Sequence, residues 1–351
     1  MSVFHNNILA GASGAGGGAA EPDLAVAHNT SPYISVYPIS SSGVGAKYSN
    51  PSTLPAGTGQ SVKFSPDGNH IAIGHSNSPY ISVYPWSSSG FGTKYSNPST
   101  LPANLCLGIA WSPDGSDIVV SHFSSPYIAG YPFSSGLGTK YSNPSSAISG
   151  EHGASIAFHP DGNAVATANF YTPFTNAYAW SSGFGTKYSS PSSNPGAKAS
   201  DIAFSPDGNT LALCMEGGDK ICAYVWSNGY STKYSPPSAT PRGNCNGIAW
   251  APDGGHIAVA HDDTGSADTY PWSSGFGTRF SGYPGSDGNS ATIQGTGYGV
   301  AWSSDGAYVA YASQNSPRVL VYTWDDAYTG VLSNPATVPT GRANRVHFKP
   351  T

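Results

Sequence analysis

The sequence predicts an all-β chain, folded as a seven-bladed β-propeller of four-stranded blades. Three observations predict it. A Ser-Pro-Asp-Gly turn recurs along the chain at Asp67, Asp114, Asp161, Asp207, Asp253 and Asp305, at intervals of 47, 47, 46, 46 and 52 residues. A tyrosine recurs once more often than the turn, at Tyr37, Tyr84, Tyr131, Tyr178, Tyr224, Tyr270 and Tyr322. The last residues, Arg345 to Pro350, repeat the pattern of Val62 to Pro66, which is the one strand that the first unit lacks. Self-similarity at a fixed period is the mark of a repeat architecture and outranks local propensity.

Each unit carries four strand signals separated by turn chemistry. In the second unit Ser61 to Phe64 alternates and ends at the turn, and His70 to His75 follows. Tyr80 to Tyr84 has period two, and after a Gly-rich loop Thr93 to Tyr95 begins a fourth strand. The units are expected at 22–60, 61–106, 107–153, 154–200, 201–246, 247–297 and 298–344. The C-terminal strand completes the first blade, which removes the open sheet edges that invite aggregation. Two parts follow: residues 1–20, outside the repeat, and a propeller over 21–351. Repeats of this length, with a Gly/Asp turn and an aromatic residue at the third strand, resemble WD-type propeller repeats.

Composition agrees and excludes other classes. The 351 residues include 44 glycines and 29 prolines, too many for long helices. Only 9% of residues are charged, against about 25% in ordinary domains. The net charge of −5 gives no footprint for nucleic acid or an anionic membrane. No apolar run reaches membrane-spanning length. The N-terminus has neither the basic nor the apolar region of a signal peptide.

Residues present in every blade serve the blade. The tyrosine column, and the ring column Ile39, Trp86, Phe133, Trp180, Trp226, Trp272 and Trp324, are expected to pack adjacent sheets. The turn aspartates bond their own backbone. His28, His75, His122 and His261 share one position at the end of the second strand. They sit on separate blades and so do not converge on a metal ion; a local bond to the following Ser/Asn/Thr run is expected. Cys106 and Cys245 are equivalent residues three blades apart, while Cys214 and Cys222 flank a hairpin, where a cross-strand disulfide and two buried thiols are both open. No catalytic motif, paired carboxylate or phosphate loop is visible, so no catalytic residue, no metal and no cofactor is expected. Asp262, Asp263 and Asp268 have oxygens suited to Ca²⁺, but a solvated loop is the simpler reading.

Departures from the repeat gather on the loops after the second strands. Tyr33, Tyr80, Tyr127, Tyr171, Asp262 and Asp263 are the candidate ligand-binding residues there, because Tyr, Ser, Asn and Gly together form a paratope-like surface.

Residues 1–20 add one resemblance. Phe4-His5-Asn6-Asn7-Ile8-Leu9, followed by Gly11-Ala12-Ser13-Gly14, resembles a short N-terminal segment of phage structural proteins. The resemblance implies a virion component. Phe4, His5, Asn6, Asn7, Ile8 and Leu9 would anchor it to other virion proteins, and the Gly-rich run would serve as tether. The expected function is then a non-enzymatic protein displayed on a phage particle, located on the virion and adhering to a host surface glycan or receptor. A cellular propeller scaffold for protein–protein interaction is the alternative.

Overall fold

The structure, a computed structural model, describes residues 22–148, 152–263, 265–280, 293 and 295–351. Seven antiparallel sheets stand around a central axis. The first consists of β1 (Asp23–His28), β2 (Ile34–Ser40), β3 (Gly43–Val44) and, as its innermost strand, β26 (Ala343–Phe348). The second holds β4 (Gly59–Phe64), β5 (His70–His75), β6 (Ile81–Ser87) and β7 (Gly90–Phe91). The third holds β8 (Cys106–Trp111), β9 (Asp117–His122) and β10 (Ile128–Pro132). The fourth holds β11 (Gly153–Phe158), β12 (Ala164–Asn169), β13 (Thr175–Trp180) and β14 (Phe184–Lys187). The fifth holds β15 (Lys198–Phe204), β16 (Thr210–Glu216), β17 (Ile221–Trp226) and β18 (Tyr230–Lys233). The sixth holds β19 (Cys245–Trp250), β20 (His256–His261) and β21 (Ala267–Pro271). The seventh holds β22 (Gly297–Trp302), β23 (Tyr308–Ser313), β24 (Val319–Trp324) and β25 (Tyr328–Val331).

In the third and sixth blades the outer strand is reduced to a single bridge, Phe133 with Leu137 and Trp272 with Phe276. The second blade's fourth strand begins earlier than the sequence suggests. It is the Gly90–Phe91 pair, and the Tyr95 amide then returns to the Val83 carbonyl at 2.9 Å.

The ring closes as expected. β26 pairs with β1 through Leu24–Phe348, Val26–Val346 and Ala27–Arg345, and it also neighbours β4 and β22. The inner strands therefore follow one another around the axis in the order β26, β4, β8, β11, β15, β19, β22 and back to β26.

Seven apolar clusters fill the seams between blades. The seven tyrosines are wholly buried, as the packing reading requires. Four also staple neighbouring blades: the Tyr84, Tyr131, Tyr224 and Tyr270 hydroxyls donate to the carbonyls of Thr53, Thr100, Ser193 and Ala239 at 2.7 to 3.0 Å. The turn aspartates act locally. Asp67 Oδ1 accepts the Asn69 amide at 3.0 Å and the Ser65 hydroxyl at 2.5 Å.

Candidate active site in the central channel

Each inner strand runs towards its Pro-Asp-Gly turn, and alternate residues face the axis. Two layers of side chains therefore line the channel. In the deeper layer Ser61, Ser155, Asp201 and Arg345 line the cavity, and Gly108, Gly247 and Gly299 hold the equivalent positions on the other inner strands. The layer nearer the turns is Lys63, Ala110, Ala157, Ala203, Ala249, Ala301 and His347. Between them Val62, Ile109, Ile156, Ile202, Ile248, Val300 and Val346 point into the blades and are buried. The glycines are there because the inner strands approach closely. A Cβ on Gly299 would lie 3.0 Å from the Arg345 Cα.

Small residues leave a cavity of about 500 Å³, open among Pro66, Pro113, Pro160, Pro206 and Pro350. That volume suits a small-molecule ligand. Lys63, Arg345 and His347 lie on the neighbouring strands β4 and β26, and Asp201 lies on β15, three blades away in either direction. The channel is thus polarised, with nitrogen-bearing side chains on one wall and a carboxylate on the other.

Each group is fixed by backbone. Asp201 Oδ1 accepts the Ile202 amide at 3.0 Å, and Oδ2 accepts the Ile248 amide of the next blade at 3.1 Å. Arg345 donates from Nη1 to the carbonyls of Tyr298 and, at 3.1 Å, Asn344. His347 Nδ1 accepts the Phe64 amide at 3.2 Å, which leaves Nε2 as the protonated nitrogen of the neutral ring. Burial holds His347 well below the ordinary imidazole range, and the Lys63 ammonium adds to that. Burial also lowers Lys63, with Asp201 opposing the shift and Arg345 reinforcing it. The site can present N–H donors to developing negative charge and a carboxylate to a water or hydroxyl.

The residues singled out on the loop face lie elsewhere. Tyr33, Tyr80 and Tyr127 have φ near +70° and close the hairpins. Their carbonyls accept the amides of His28, His75 and His122 at 2.8 to 3.0 Å. Tyr171 is 54% exposed. Only Tyr127 and Tyr171 of the six are brought towards a common group, the His152 ring, at 6.5 and 6.0 Å. Asp262 bonds within the sixth blade, just beyond the β19–β20 pairing: its carboxylate accepts the Asn244 amide at 2.7 Å and the Asn244 side chain at 3.1 Å. The Asp263 amide donates to His261 Nδ1 at 3.3 Å. Asp268 corrects the solvated-loop reading. It is buried, with Arg242, Arg279 and His261 around its carboxylate. Among the described residues no group of three or more His, Cys, Asp or Glu could hold a metal ion.

Two members of the histidine column bond across the hairpin, while His261 Nδ1 takes the Asp263 amide of the following loop, as expected. His28 Nε2 meets Ser35 Oγ and His75 Nε2 meets Ser82 Oγ, each at 3.1 Å. Phe4 to Leu9 lie outside the described residues.

Neither the known protein-family models nor the curated proteins match the sequence. Solved structures do. The periplasmic gluconolactonase PpgL of Pseudomonas aeruginosa superposes with a TM-score of 0.70 at 17% identity, over 93% of this chain and 99% of that one. A candidate 6-phosphogluconolactonase of Bacteroides uniformis gives 0.69 at 16% identity, over 94% and 100%. Another, from Bacteroides fragilis, gives 0.67 at 15% identity, over 94% and 98%. At these identities the likeness establishes the ring.

It also corrects the functional expectation. The expected non-enzymatic, virion-borne adhesin has no counterpart among these three neighbours. One is a periplasmic gluconolactonase and the other two are candidate 6-phosphogluconolactonases, all from bacteria. A cellular propeller, the alternative, fits them better. The physical reason is that a propeller assembles its axial groups from several blades, so no single unit carries an enzyme motif. Localisation on a particle rested on residues 1–20 alone.

Proposed function

We propose that this protein hydrolyses the cyclic ester of a sugar-derived lactone in its central channel. The observation that carries the reading is the meeting of Lys63, Arg345 and His347 with Asp201 across one cavity, in a ring shared with lactonases. Water is the nucleophile, and its oxygen bonds to the lactone carbonyl carbon. Asp201 takes the proton lost by that water. The carbonyl oxygen becomes negative and is met by the Lys63 ammonium, the free Arg345 N–H groups and the His347 Nε2–H. Collapse breaks the bond to the ring oxygen, which takes back the proton held by Asp201 and leaves as a hydroxyl, so lactone plus water gives the open hydroxy acid. Five alanines in the outer layer keep space for the ring.

The test is acid release from gluconolactone, followed with a pH indicator and corrected for spontaneous opening. The wild-type protein should accelerate it, and Asp201→Asn should lower kcat/KM by roughly 10²-fold or more. A wild-type rate equal to spontaneous opening would reject the reading for this substrate, and an Asp201→Asn rate equal to wild type would reject Asp201 as the base.

A further inference from the structure

The four cysteines are buried free thiols. Cys214 and Cys222 do not face each other. In the register of β16 and β17, Cys214 stands opposite Ile221 and Cys222 opposite Leu213, one residue apart, so their side chains leave opposite faces of the sheet. Cys222 packs in the seam towards the fourth blade, and Cys214 packs in the seam towards the sixth, in the same apolar cluster as Cys245. The cross-strand disulfide left open by the sequence is therefore excluded, and the partner of Cys214 lies across the seam.

The repeat supplies a ruler for that pair. Gly74 and Cys106, across the seam of the second and third blades, occupy the positions that Cys214 and Cys245 occupy across the seam of the fifth and sixth. A Cβ built on Gly74 falls 2.9 Å from the Cys106 Cβ. Two real Cβ atoms must stand slightly further apart, which brings them to the ~3.5–4.5 Å that a disulfide spans. The seam in question is already tightly held. Cys214 Sγ donates to the Gly247 carbonyl at 3.1 Å, Ser200 Oγ donates to the Cys245 carbonyl, and Asp201 Oδ2 accepts the Ile248 amide at 3.1 Å.

We propose that Cys214 and Cys245 are a dithiol site that oxidises to a disulfide joining the fifth and sixth blades. A small-molecule disulfide such as oxidised glutathione is the electron acceptor. The thiolate of one cysteine attacks a glutathione sulfur and expels one glutathione thiolate. The second cysteine thiolate then attacks the mixed disulfide at the protein sulfur, forming the Sγ–Sγ bond and expelling the other glutathione. Two protein thiols lose two protons and two electrons, and one oxidised glutathione becomes two reduced ones. Burial raises the Cys214 thiol, and the adjoining Cys245 thiol raises it further, so the exchange is slow and proceeds when the seam opens. The cross-link closes a loop of the chain and sits beside Asp201, which pairs with Cys214 in the register of β15 and β16. The site does not depend on the reaction assigned to the channel.

The experiment equilibrates the full chain in reduced and in oxidised glutathione below its melting transition, then alkylates, digests and weighs it. Oxidised protein should be lighter by two hydrogens and yield one linked peptide pair containing Cys214 and Cys245. Cys106 and Cys222 should remain alkylated, and the melting temperature should rise by several degrees. Cys245→Ser should lose the link and Cys106→Ser should keep it; should Cys245→Ser not fold, the wild-type peptide map decides. Four alkylated thiols after oxidation, or a link between any other pair, would overturn the proposal.

Discussion

His347 Nδ1 accepts the backbone amide of Phe64 at 3.2 Å, a bond from the first blade's inner strand to the second's. It fixes the tautomer and places Nε2–H as the ring's remaining donor. Lys63, on the same strand as Phe64, lines the same cavity. Its ammonium is the second cause, after burial, that keeps the imidazole neutral.

Replacing Lys63 by Met tests that electrostatic link. Without the ammonium, protonating His347 no longer places two positive charges side by side, so the His347 pKa should rise. Burial, the larger cause, remains, and the ring should stay below the ordinary imidazole range. An NMR titration of the imidazole Cε1–H signal in wild type and Lys63→Met reads the shift. An unchanged or lowered His347 would show that the Lys63 charge does not reach the ring.

The propeller was legible because its signals are local and repeated. Tyr84 and Tyr131 stand 47 residues apart in near-identical surroundings, and the strand ending at Phe348 could be matched to the one ending at Phe64. The channel was not legible, because Lys63, Asp201, Arg345 and His347 are spread from the second unit to the chain's end and form no motif along it. The signal lay in the aligned inner strands. Of the seven inner strands, five place Ala where the other two carry Lys63 and His347, and five place Ser or Gly where the other two carry Asp201 and Arg345. The loop tyrosines have the composition of a binding surface, but three of them are held in the left-handed region to close hairpins. The thiol pair was hidden for a related reason. Its partners are neighbours around the ring, and spacing in sequence reports only neighbours within a blade.

Closure by β26 predicts a large loss on truncation. Deleting residues 343–351 bares the inner edge of β1 and removes Val346 and Phe348 from the cluster that holds Leu24 and Val26. Each of those buried side chains contributes ~1.5–3 kcal/mol. The melting temperature should fall by roughly 10 °C or more. Circular dichroism melts of the two chains check this, and equal midpoints would mean that the ring does not rely on its last strand.

The buried histidine column predicts acid lability well above the carboxylate range. Burial is the largest cause in each case, and it lowers His28, His75 and His122 from 6.5 to about 4. All three are essentially inaccessible. A group depressed on folding is neutral in the native state while the unfolded chain takes up its proton. Its contribution is therefore complete above about pH 6.5 and is lost as the pH falls towards 4. Within that window each histidine should remove up to about 1.4 kcal/mol of unfolding free energy per pH unit. His122 separates this effect from hydrogen bonding. Both of its ring nitrogens lack partners, whereas His28 and His75 each reach a serine. The fifth blade places Met215 at the same position. His122→Met should therefore hold or raise stability at pH 7, since it removes two unsatisfied buried nitrogens. It should also flatten the loss between pH 6.5 and 4 by one histidine's share. Urea denaturation of wild type and His122→Met at pH 7, 6 and 5 gives both quantities, and parallel pH profiles for the two proteins would contradict a neutral buried His122.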